Sequence, residues 1–258
     1  MCIRDRGWGQ SDETWSFLDA LGRLGGETWF NIGDRDLATH ILRTSLLQAG
    51  ATPSEVVEEL CRRMNIAQWV VPMSDQTVST RVQTKSGEDL MFQHYFVRDR
   101  CEPEVAGFEF EGIGASEPSP GFSASLASCD VAIICPSNPY LSIDPILSVP
   151  GIRDALGRCG APVVAVSPVV SGDSLKGPTA KIMNELGIIC SATAIAQHYH
   201  GLIDGLLIDT DDASLEADIA DLGIAVKLSD IVMRSAEERC TLAKTVVQFA
   251  GELRCGVK

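Results

Sequence analysis

Residues 167–178 form a loop whose side chains could hold a phosphate group. The segment lies between a buried apolar run and a helical stretch that begins with proline, and it combines Gly and Ser residues with one lysine. Backbone amides in such a loop favour anions, and the Lys176 ammonium would add a positive charge beside Ser167. The residue order is not that of a Walker loop. A solvated loop with an incidental lysine explains the pattern about as well.

A second group of reactive side chains lies in the front half, within residues 29–40. Asp34 and Asp36 could bind a metal ion or cap the helix that follows. His40 comes four residues after Asp36, so both side chains would share one helix face. We therefore treat Asp34, Asp36 and His40 as candidate catalytic residues and Asp36 as a candidate metal ligand, although a lone histidine on a helix more often lies on the surface or in the core.

Three polar segments are weaker candidates. Ser74 and Asp75 could line a binding site or form an Asx-type turn. Gln93 lies in an aromatic segment that could contact a flat ring, although aromatic residues in strands usually belong to a core. Ser137 and Asn138 follow an apolar run and could hold a small polar ligand or cap a strand-to-helix turn.

The second half of the chain has the pattern of a parallel α/β sheet. Residues 131–135 and 162–166 are continuous apolar runs, as expected of strands that are buried on both faces. Residues 205–209 and 223–226 predict two more strands, and residues 235–253 predict a final helix. Ligands of such sheets bind at the carboxyl ends of the strands, which is where Ser137, Asn138 and Ser167 would lie.

The front half predicts a different, smaller unit. Residues 36–47 and 53–64 have helical character, and residues 77–97 alternate like a hairpin with its turn at residues 85–88. Met91, Tyr95 and Val97 would face one side of this hairpin.

We predict a Rossmann-like α/β fold with a mostly parallel sheet flanked by helices and an inserted smaller α+β lobe. The lobe would span residues 1–111 with an incomplete N-terminus, and the core would span residues 122–258. Residues 112–121, rich in Gly, Ser and Pro, would link the two.

Composition excludes several classes of protein. A net charge of −14 argues against a non-specific nucleic-acid binder, which needs an excess of Lys and Arg. No apolar run approaches the length of a membrane span, and the first residues lack the pattern of a secretory signal. The nine cysteines are scattered singly and predict reduced thiols, which suits the cytoplasm.

The order of the motifs resembles one family, the 2-phospho-L-lactate transferases. These motifs are Gly7-Trp-Gly9, W-F-x-I-G-D-R-D-x-A-T-H, P-M-S-D, F-Q-x-Y-F-V, P-S-N-P-x-x-S-I and V-S-P…L-K-G-P. The resemblance extends from about residue 7 to about residue 209.

The resemblance implies a magnesium-dependent transferase of coenzyme F-420 biosynthesis. Such an enzyme moves a phosphoacid from a guanylyl diphosphate-type donor to the ribityl hydroxyl of the deazaflavin Fo, and GMP leaves. By motif position, the catalytic candidates above together with Ser74, Asp75 and Gln93 would lie on the deazaflavin side. Ser137, Asn138, Ser167 and Lys176 would lie near the nucleotide and phosphates. The resemblance leaves open phospholactate, phosphoenolpyruvate or phosphoglycerate as the acid, and it suggests a homodimer.

The chain departs from the family pattern at its start. Relatives begin with a strand, a Gly-rich loop and an acidic segment expected at the metal, and residues 1–6 do not match these; Gln10 and Ser11 stand where a basic residue is common. We therefore expect the main metal ligands in a missing N-terminal segment and little activity without it. The alternative functions are a nucleotide-sugar-binding regulatory protein of the same fold and an inactive fragment of the transferase.

Overall fold

The computed structural model describes residue 10 and residues 12–174 and 177–256. Its helices are α1 (Ser16–Arg23), α2 (Asp34–Gln48), α3 (Pro53–Arg63), α4 (Pro120–Ser128), α5 (Asp144–Leu147), α6 (Ile152–Arg158), α7 (Thr179–Glu185), α8 (Ala192–His198), α9 (Glu216–Ala220) and α10 (Ala236–Gly256). Its strands are β1 (Ser79–Thr84), β2 (Asp89–Met91), β3 (Val105–Glu111), β4 (Ala132–Ile134), β5 (Val163–Val166), β6 (Val169–Val170), β7 (Asp173–Ser174), β8 (Gly205–Ile208) and β9 (Ala225–Leu228).

A four-stranded parallel sheet with the order β4-β5-β8-β9 forms the core. Its central strands are buried on both faces, because successive residues contact different hydrophobic clusters. On β5, Val163 and Ala165 pack against the α6, α7 and α8 side, whereas Val164 and Val166 pack against α10. This double burial explains the continuous apolar runs and confirms the predicted Rossmann-like α/β class.

Gly205 lets α10 lie close to the sheet. A Cβ atom at this position would come within 2.6 Å of the ring of Phe249 on α10. The long C-terminal helix can therefore cover β5 and β8 only because the first residue of β8 has no side chain.

The front half contains a three-stranded antiparallel sheet with the order β2-β1-β3. The predicted hairpin turn is confirmed, since the backbone of Thr84 bonds to Glu88 and Gly87 at the turn. The third strand, β3, lies in a segment for which no strand was predicted. The side chains of Val82, Tyr95 and Val105 join the same hydrophobic cluster as the core helices, so the lobe packs directly on the core.

The second half of the predicted hairpin is wrong. After β2 the chain forms a π-helical turn, His94–Arg98, in place of a continued strand. Only three residues of β1 pair with β2, whereas all six residues of β1 pair with β3. Tyr95 lies fully buried in this turn instead of sharing one face of a hairpin with Met91 and Val97.

The segment predicted as a linker is packed against the lobe. It contains a 3-10 turn, Ile113–Ala115, and the first residues of α4. Ser119 is 1% exposed; its hydroxyl donates to the Pro72 carbonyl at 2.6 Å and accepts from the Phe122 N–H at 3.2 Å. The remaining differences are small shifts: α2 begins at Asp34, and the last strand runs Ala225–Leu228 instead of starting at residue 223.

Candidate functional site

A cleft of about 420 Å³ opens at the carboxyl ends of β4 and β5, where ligands of parallel sheets bind. It is bounded by the loop after β4, the loop after β5, the start of α7, the π-helical turn of the lobe and the loop after β9. The lining residues are Phe92, Phe96, Pro136, Ser137, Asn138, Leu141, Ser142, Ser167, Pro168, Gly177, Pro178, Thr179, Ile231, Val232 and Met233.

Asn138 fixes the loop after β4. Its Oδ1 accepts hydrogen bonds from the N–H groups of Tyr140 and Leu141, both at 3.0 Å, and so caps the helical turn that follows. Its Nδ2 donates to Thr179 Oγ1 at 3.1 Å, which ties this loop to the start of α7. The capping alternative is therefore present in the structure, and the same residue also lines the cleft.

The hydroxyls of Ser167 and Ser137 differ in whether they have a hydrogen-bond partner in the protein. Ser167 is 1% exposed, and its hydroxyl donates to the Val169 carbonyl at 2.8 Å and accepts from the Val169 N–H at 3.1 Å, so it fixes the turn after β5. Ser137 also lines the cleft, and its hydroxyl makes no hydrogen bond within the described part of the chain, although its backbone N–H bonds to the Cys135 carbonyl. Ser137 therefore has a hydroxyl to offer a ligand.

Lys176 lies outside the described residues, so its contacts are not part of this structure. Its nearest described neighbours are informative. Ser174 ends the β6–β7 hairpin, and its hydroxyl donates to the Gly177 carbonyl at 3.1 Å. Gly177 itself lines the cleft.

The lobe contributes an aromatic wall. The rings of Phe92 and Phe96 stack with centroids 5.3 Å apart and an angle of 25° between their planes. Phe96 is 38% exposed although it lines the cleft. Tyr95 lies between them in sequence and is buried under the Lys181 ammonium, which anchors this π-helical turn. Burial raises the pKa of the Tyr95 hydroxyl and keeps it neutral.

Asp34 caps a helix that is not its own. Its Oδ2 accepts from the Thr14 hydroxyl at 2.6 Å and from the Ser16 N–H at 3.2 Å, and its Oδ1 accepts from the Phe17 N–H at 3.1 Å. These bonds, the one from Thr14 above all, lower the pKa of the Asp34 carboxyl. The carboxylate thereby holds the start of α1 against the start of α2, and it does not line the cleft.

Glu13 caps α2 in return. Its carboxylate oxygens accept from the N–H groups of Arg35 and Asp36 at 2.9 and 3.0 Å. Gly33 makes room for this carboxylate, because a Cβ atom there would overlap the Glu13 side chain. Neither aspartate therefore caps α2, so the capping role considered for both as the alternative to metal binding is wrong. Asp36 Oδ1 accepts from the Gln10 N–H at 3.3 Å, and His40 is exposed one turn later.

The remaining front-half candidates also lie outside the cleft lining. The Ser74 hydroxyl bonds to the N–H and side chain of Gln76, which closes a local turn. Asp75 Oδ1 accepts from the Ser54 N–H at 2.7 Å and supports the start of α3. Gln93 is exposed at the entry to the π-helical turn, next to Phe92.

The structure thus brings together Ser137, Asn138 and Ser167, whereas the six front-half candidates line no part of this cleft. Across residues 12–174 and 177–256, no three His, Cys, Asp or Glu side chains are grouped to hold a metal ion. Nor does any helix in the same ranges have the length and apolar character needed to cross a membrane.

Sequence reasoning missed Thr179 and the segment 231–233 as cleft residues, whereas Phe92 and Phe96 belong to the F-Q-x-Y-F-V motif already quoted. A signal for the segment was present, because residues 231–233 follow the carboxyl end of the last strand, where the rule for parallel sheets places ligand-binding loops.

The fold and the cleft define an α/β protein with a cleft at the carboxyl edge of its parallel sheet, where proteins of this architecture bind small ligands, and with a lobe that supplies an aromatic wall. The chain belongs to the family described as 2-phospho-L-lactate transferase CofD, which it matches over residues 13–243. The match confirms the resemblance and supports a phosphoacid transferase of coenzyme F-420 biosynthesis.

Relatives extend the match over nearly the whole chain. The phosphoenolpyruvate transferase of Streptomyces griseus is 38% identical over 255 residues, which cover 97% of this chain and 80% of that protein. The phosphoenolpyruvate transferase of Mycobacterium leprae is 37% identical and covers 95% of this chain and 76% of that protein.

Solved structures support the fold alone. A Bacillus halodurans protein of the UPF0052 family is similar with a TM-score of 0.56 and 15% identity, over 80% of this chain and 71% of that one.

Proposed function

We propose that this chain transfers a phosphoacid from a guanylyl diphosphate-type donor to the terminal ribityl hydroxyl of the deazaflavin Fo and releases GMP. The observation that carries the proposal is the cleft itself, which joins polar strand-end loops to an aromatic wall in a member of this transferase family. A substrate pair made of a nucleotide phosphate and a flat aromatic ring needs both kinds of surface.

The aromatic wall suits the deazaflavin. Phe92 and Phe96 form an offset stack, and the exposed part of Phe96 can extend that stack to one more flat ring. Met233 lines the same cleft and adds a polarisable apolar contact. Gln93, next to this wall, would contact the polar edge of the ring in this proposal.

The polar side suits the phosphates. Ser137 lines the cleft with a hydroxyl that has no protein partner among the described residues, and Thr179 Oγ1 already accepts a bond from Asn138, so the Thr179 proton can be donated to a ligand oxygen. Lys176 is proposed to add a cation from the neighbouring loop, where Gly177 reaches the cleft.

The transfer conserves atoms without a covalent enzyme intermediate. The Fo hydroxyl oxygen forms a bond to the phosphorus that carries the acid, while the bond from that phosphorus to the bridging oxygen breaks. GMP leaves with the bridging oxygen, and the hydroxyl proton is released. None of the described residues lining the cleft has an ionisable side chain, so their part is binding and orientation, which dominate phosphoryl transfer.

Magnesium belongs to the proposal on the strength of the family resemblance, and one or two carboxylates together with the donor phosphates would be enough to hold it. Catalytic roles for Asp34, Asp36 and His40 and deazaflavin contacts from Ser74 and Asp75 rest on motif position in the same way. A homodimer and a cytoplasmic location complete the proposal. Cysteines 61, 101, 129, 135, 159, 190 and 240 are free thiols, which suits a reducing compartment.

We propose phosphoenolpyruvate as the acid on the donor, because the two relatives cited above are both phosphoenolpyruvate transferases. Phospholactate and phosphoglycerate are the competitors. Incubating the protein with Fo, Mg²⁺ and each of the three guanylyl donors, with mass spectrometry of the products, distinguishes them. The phosphoenolpyruvate donor should give the fastest release of GMP, and faster release with another donor would reject this choice of acid.

A matched pair of variants tests the aromatic wall. Phe96→Ala should weaken Fo binding by about tenfold, since an aromatic stack contributes about 0.5–1.5 kcal/mol beyond its buried area. Phe17→Ala is the control, because Phe17 is 41% exposed, close to the 38% of Phe96, but lies on α1 outside the cleft lining. Equal affinity of the two variants for Fo would show that Fo does not contact this wall. Binding of a UDP-sugar without binding of Fo would favour the regulatory alternative.

A further inference from the structure

Two buried carboxylates lie just behind the cleft, in the 3-10 turn after β8. Asp209 is 4% exposed and Asp212 is 5% exposed, and neither side chain lines the cleft. A buried carboxylate is costly unless its oxygens accept hydrogen bonds. Both do so, and in each case an accepting oxygen reaches a backbone segment beside the cleft.

Asp209 holds the loop after β9. Its Oδ2 accepts from the Ile231 N–H at 3.1 Å, and its Oδ1 accepts from the Asp211 N–H at 3.1 Å. Ile231 is 3% exposed and begins the segment 231–233 that lines the cleft. The Arg234–Asp230 ion pair of this loop is more than half exposed and contributes little. The Ile231 side chain packs in the cluster beside α10, and Asp209 supplies the buried polar anchor of this wall.

Asp212 holds the hairpin after β5. Both of its oxygens lie 3.1 Å from the Ser171 N–H, at the turn between β6 and β7. Ser171 and Gly172 have φ angles of 51° and 78°, the left-handed region that a two-residue hairpin turn requires. A serine is rarely stable there, so the bond to Asp212 stabilises the turn. The hairpin connects Pro168 to Gly177, and both line the cleft.

We infer that Asp209 and Asp212 are positioning residues of the cleft, each setting one wall from behind without touching the ligand. Asp209 sets the segment 231–233, and Asp212 sets the β6–β7 hairpin that follows Pro168 of the cleft lining. The ligand assignment of this inference rests on the proposed function, whereas the placement of the two walls does not.

The geometry predicts different tolerance for asparagine at the two positions. Asp209 uses two oxygens for two separate N–H donors, and an asparagine has one oxygen and would turn its NH₂ group toward a donor. Asp212 uses both oxygens for one N–H, so the oxygen of an asparagine can replace them. Asp209→Asn should therefore be damaging and Asp212→Asn mild, whereas Asp212→Ala should be damaging.

Hydrogen exchange and GDP binding test the inference together, with Asp211→Asn as the control. Asp211 lies in the same turn and loses the same charge, but its side chain is exposed. Asp209→Asn should speed amide exchange at residues 229–233, and Asp212→Ala should speed it at residues 169–174. Both should raise the Kd for GDP by about tenfold or more, by analogy with residues that orient metal ligands, whose loss costs about ten- to hundredfold. Asp212→Asn and Asp211→Asn should resemble the wild type.

The outcomes separate the two ideas. Unchanged exchange in these segments in Asp209→Asn or Asp212→Ala, or an equal rise throughout the chain, would overturn the positioning roles. Wild-type protein that fails to bind GDP would reject the proposed ligand while the exchange data still decide the positioning roles. If Asp209→Asn does not fold, the Asp212→Ala and Asp212→Asn pair decides, because the conservative variant must restore both slow exchange and affinity.

Discussion

Asn138 can be changed in two ways that separate its structural from its functional part. Asn138→Ala removes two capping bonds and the bond to Thr179. Loss of a cap costs about 0.5–2 kcal/mol and loss of one further hydrogen bond about 0.5–1.5 kcal/mol. The free energy of unfolding should therefore fall by about 1–3 kcal/mol, which lowers Tm by about 2–4 °C for each kcal/mol in a chain of this size.

Asn138→Asp keeps the fold but changes the charge of the cleft. A carboxylate can still accept from the Tyr140 and Leu141 N–H groups, and the Thr179 hydroxyl can reverse its role and donate to it. Stability should stay close to that of the wild type. A new negative charge about 6 Å from a ligand phosphate would cost about 3 kcal/mol at an effective dielectric constant of about 20, so GDP binding should weaken by about a hundredfold.

Thermal unfolding and calorimetric titration with GDP measure both effects on the same samples. The alanine variant should lose stability, and the aspartate variant should lose affinity while it remains folded. An aspartate variant that binds GDP as tightly as the wild type would show that the phosphates do not lie beside Asn138. An alanine variant with an unchanged Tm would refute the stabilising role of its three hydrogen bonds.

Three further predictions concern other parts of the chain. Hydrogen bonds from Arg62 and then Arg63 lower the pKa of Glu59 from 4.5 to about 2, so the stabilisation they give is complete above pH 4.5 and is lost as the pH falls toward 2. The small difference in unfolding free energy between the wild type and Glu59→Gln, measured in urea, should therefore vanish over that range. A difference that grows on acidification would contradict the assignment. If Asp36 acts in the reaction, Asp36→Asn should leave Tm nearly unchanged and slow GMP release by tenfold or more, where each factor of ten corresponds to about 1.4 kcal/mol of activation free energy. Normal release would leave Asp36 a purely structural role. Gly205→Ala should destabilise the chain by about 1–3 kcal/mol in chemical unfolding, because the new methyl group would press on Phe249, and a stability equal to that of the wild type would mean that α10 can shift freely.

The core strands could be predicted from the sequence because consecutive residues in them are all apolar. A run such as 163–166 has no polar position, and only a strand covered on both faces explains that pattern at such a short length. Tyr95 shows the limit of the same method. Its spacing from Met91 and Val97 fits a strand, but its side chain packs into the core from a π-helical turn. Because the residues that bury it are distant in sequence, the local hydrophobic pattern does not reveal this turn.

The candidate site was predictable to the extent that it follows the strand-end rule. Ser137, Asn138 and Ser167 follow directly from the ends of β4 and β5. The role of Asp34 could not be predicted, because the sequence rules for helix capping assign such a residue to the start of its own helix. Its partners Thr14, Ser16 and Phe17 are 17 to 20 residues away, and no local pattern identifies them.

The exchange of caps between α1 and α2 has a consequence for the order in which this region forms. Asp34 at the start of α2 satisfies the start of α1, and Glu13 before α1 satisfies the start of α2. Neither helix can therefore gain its cap until the other is in place, and α1, with eight residues, is too short to persist alone in water. The two helices should nucleate and fray as one cooperative unit, so that an opening event at either N-terminus exposes both.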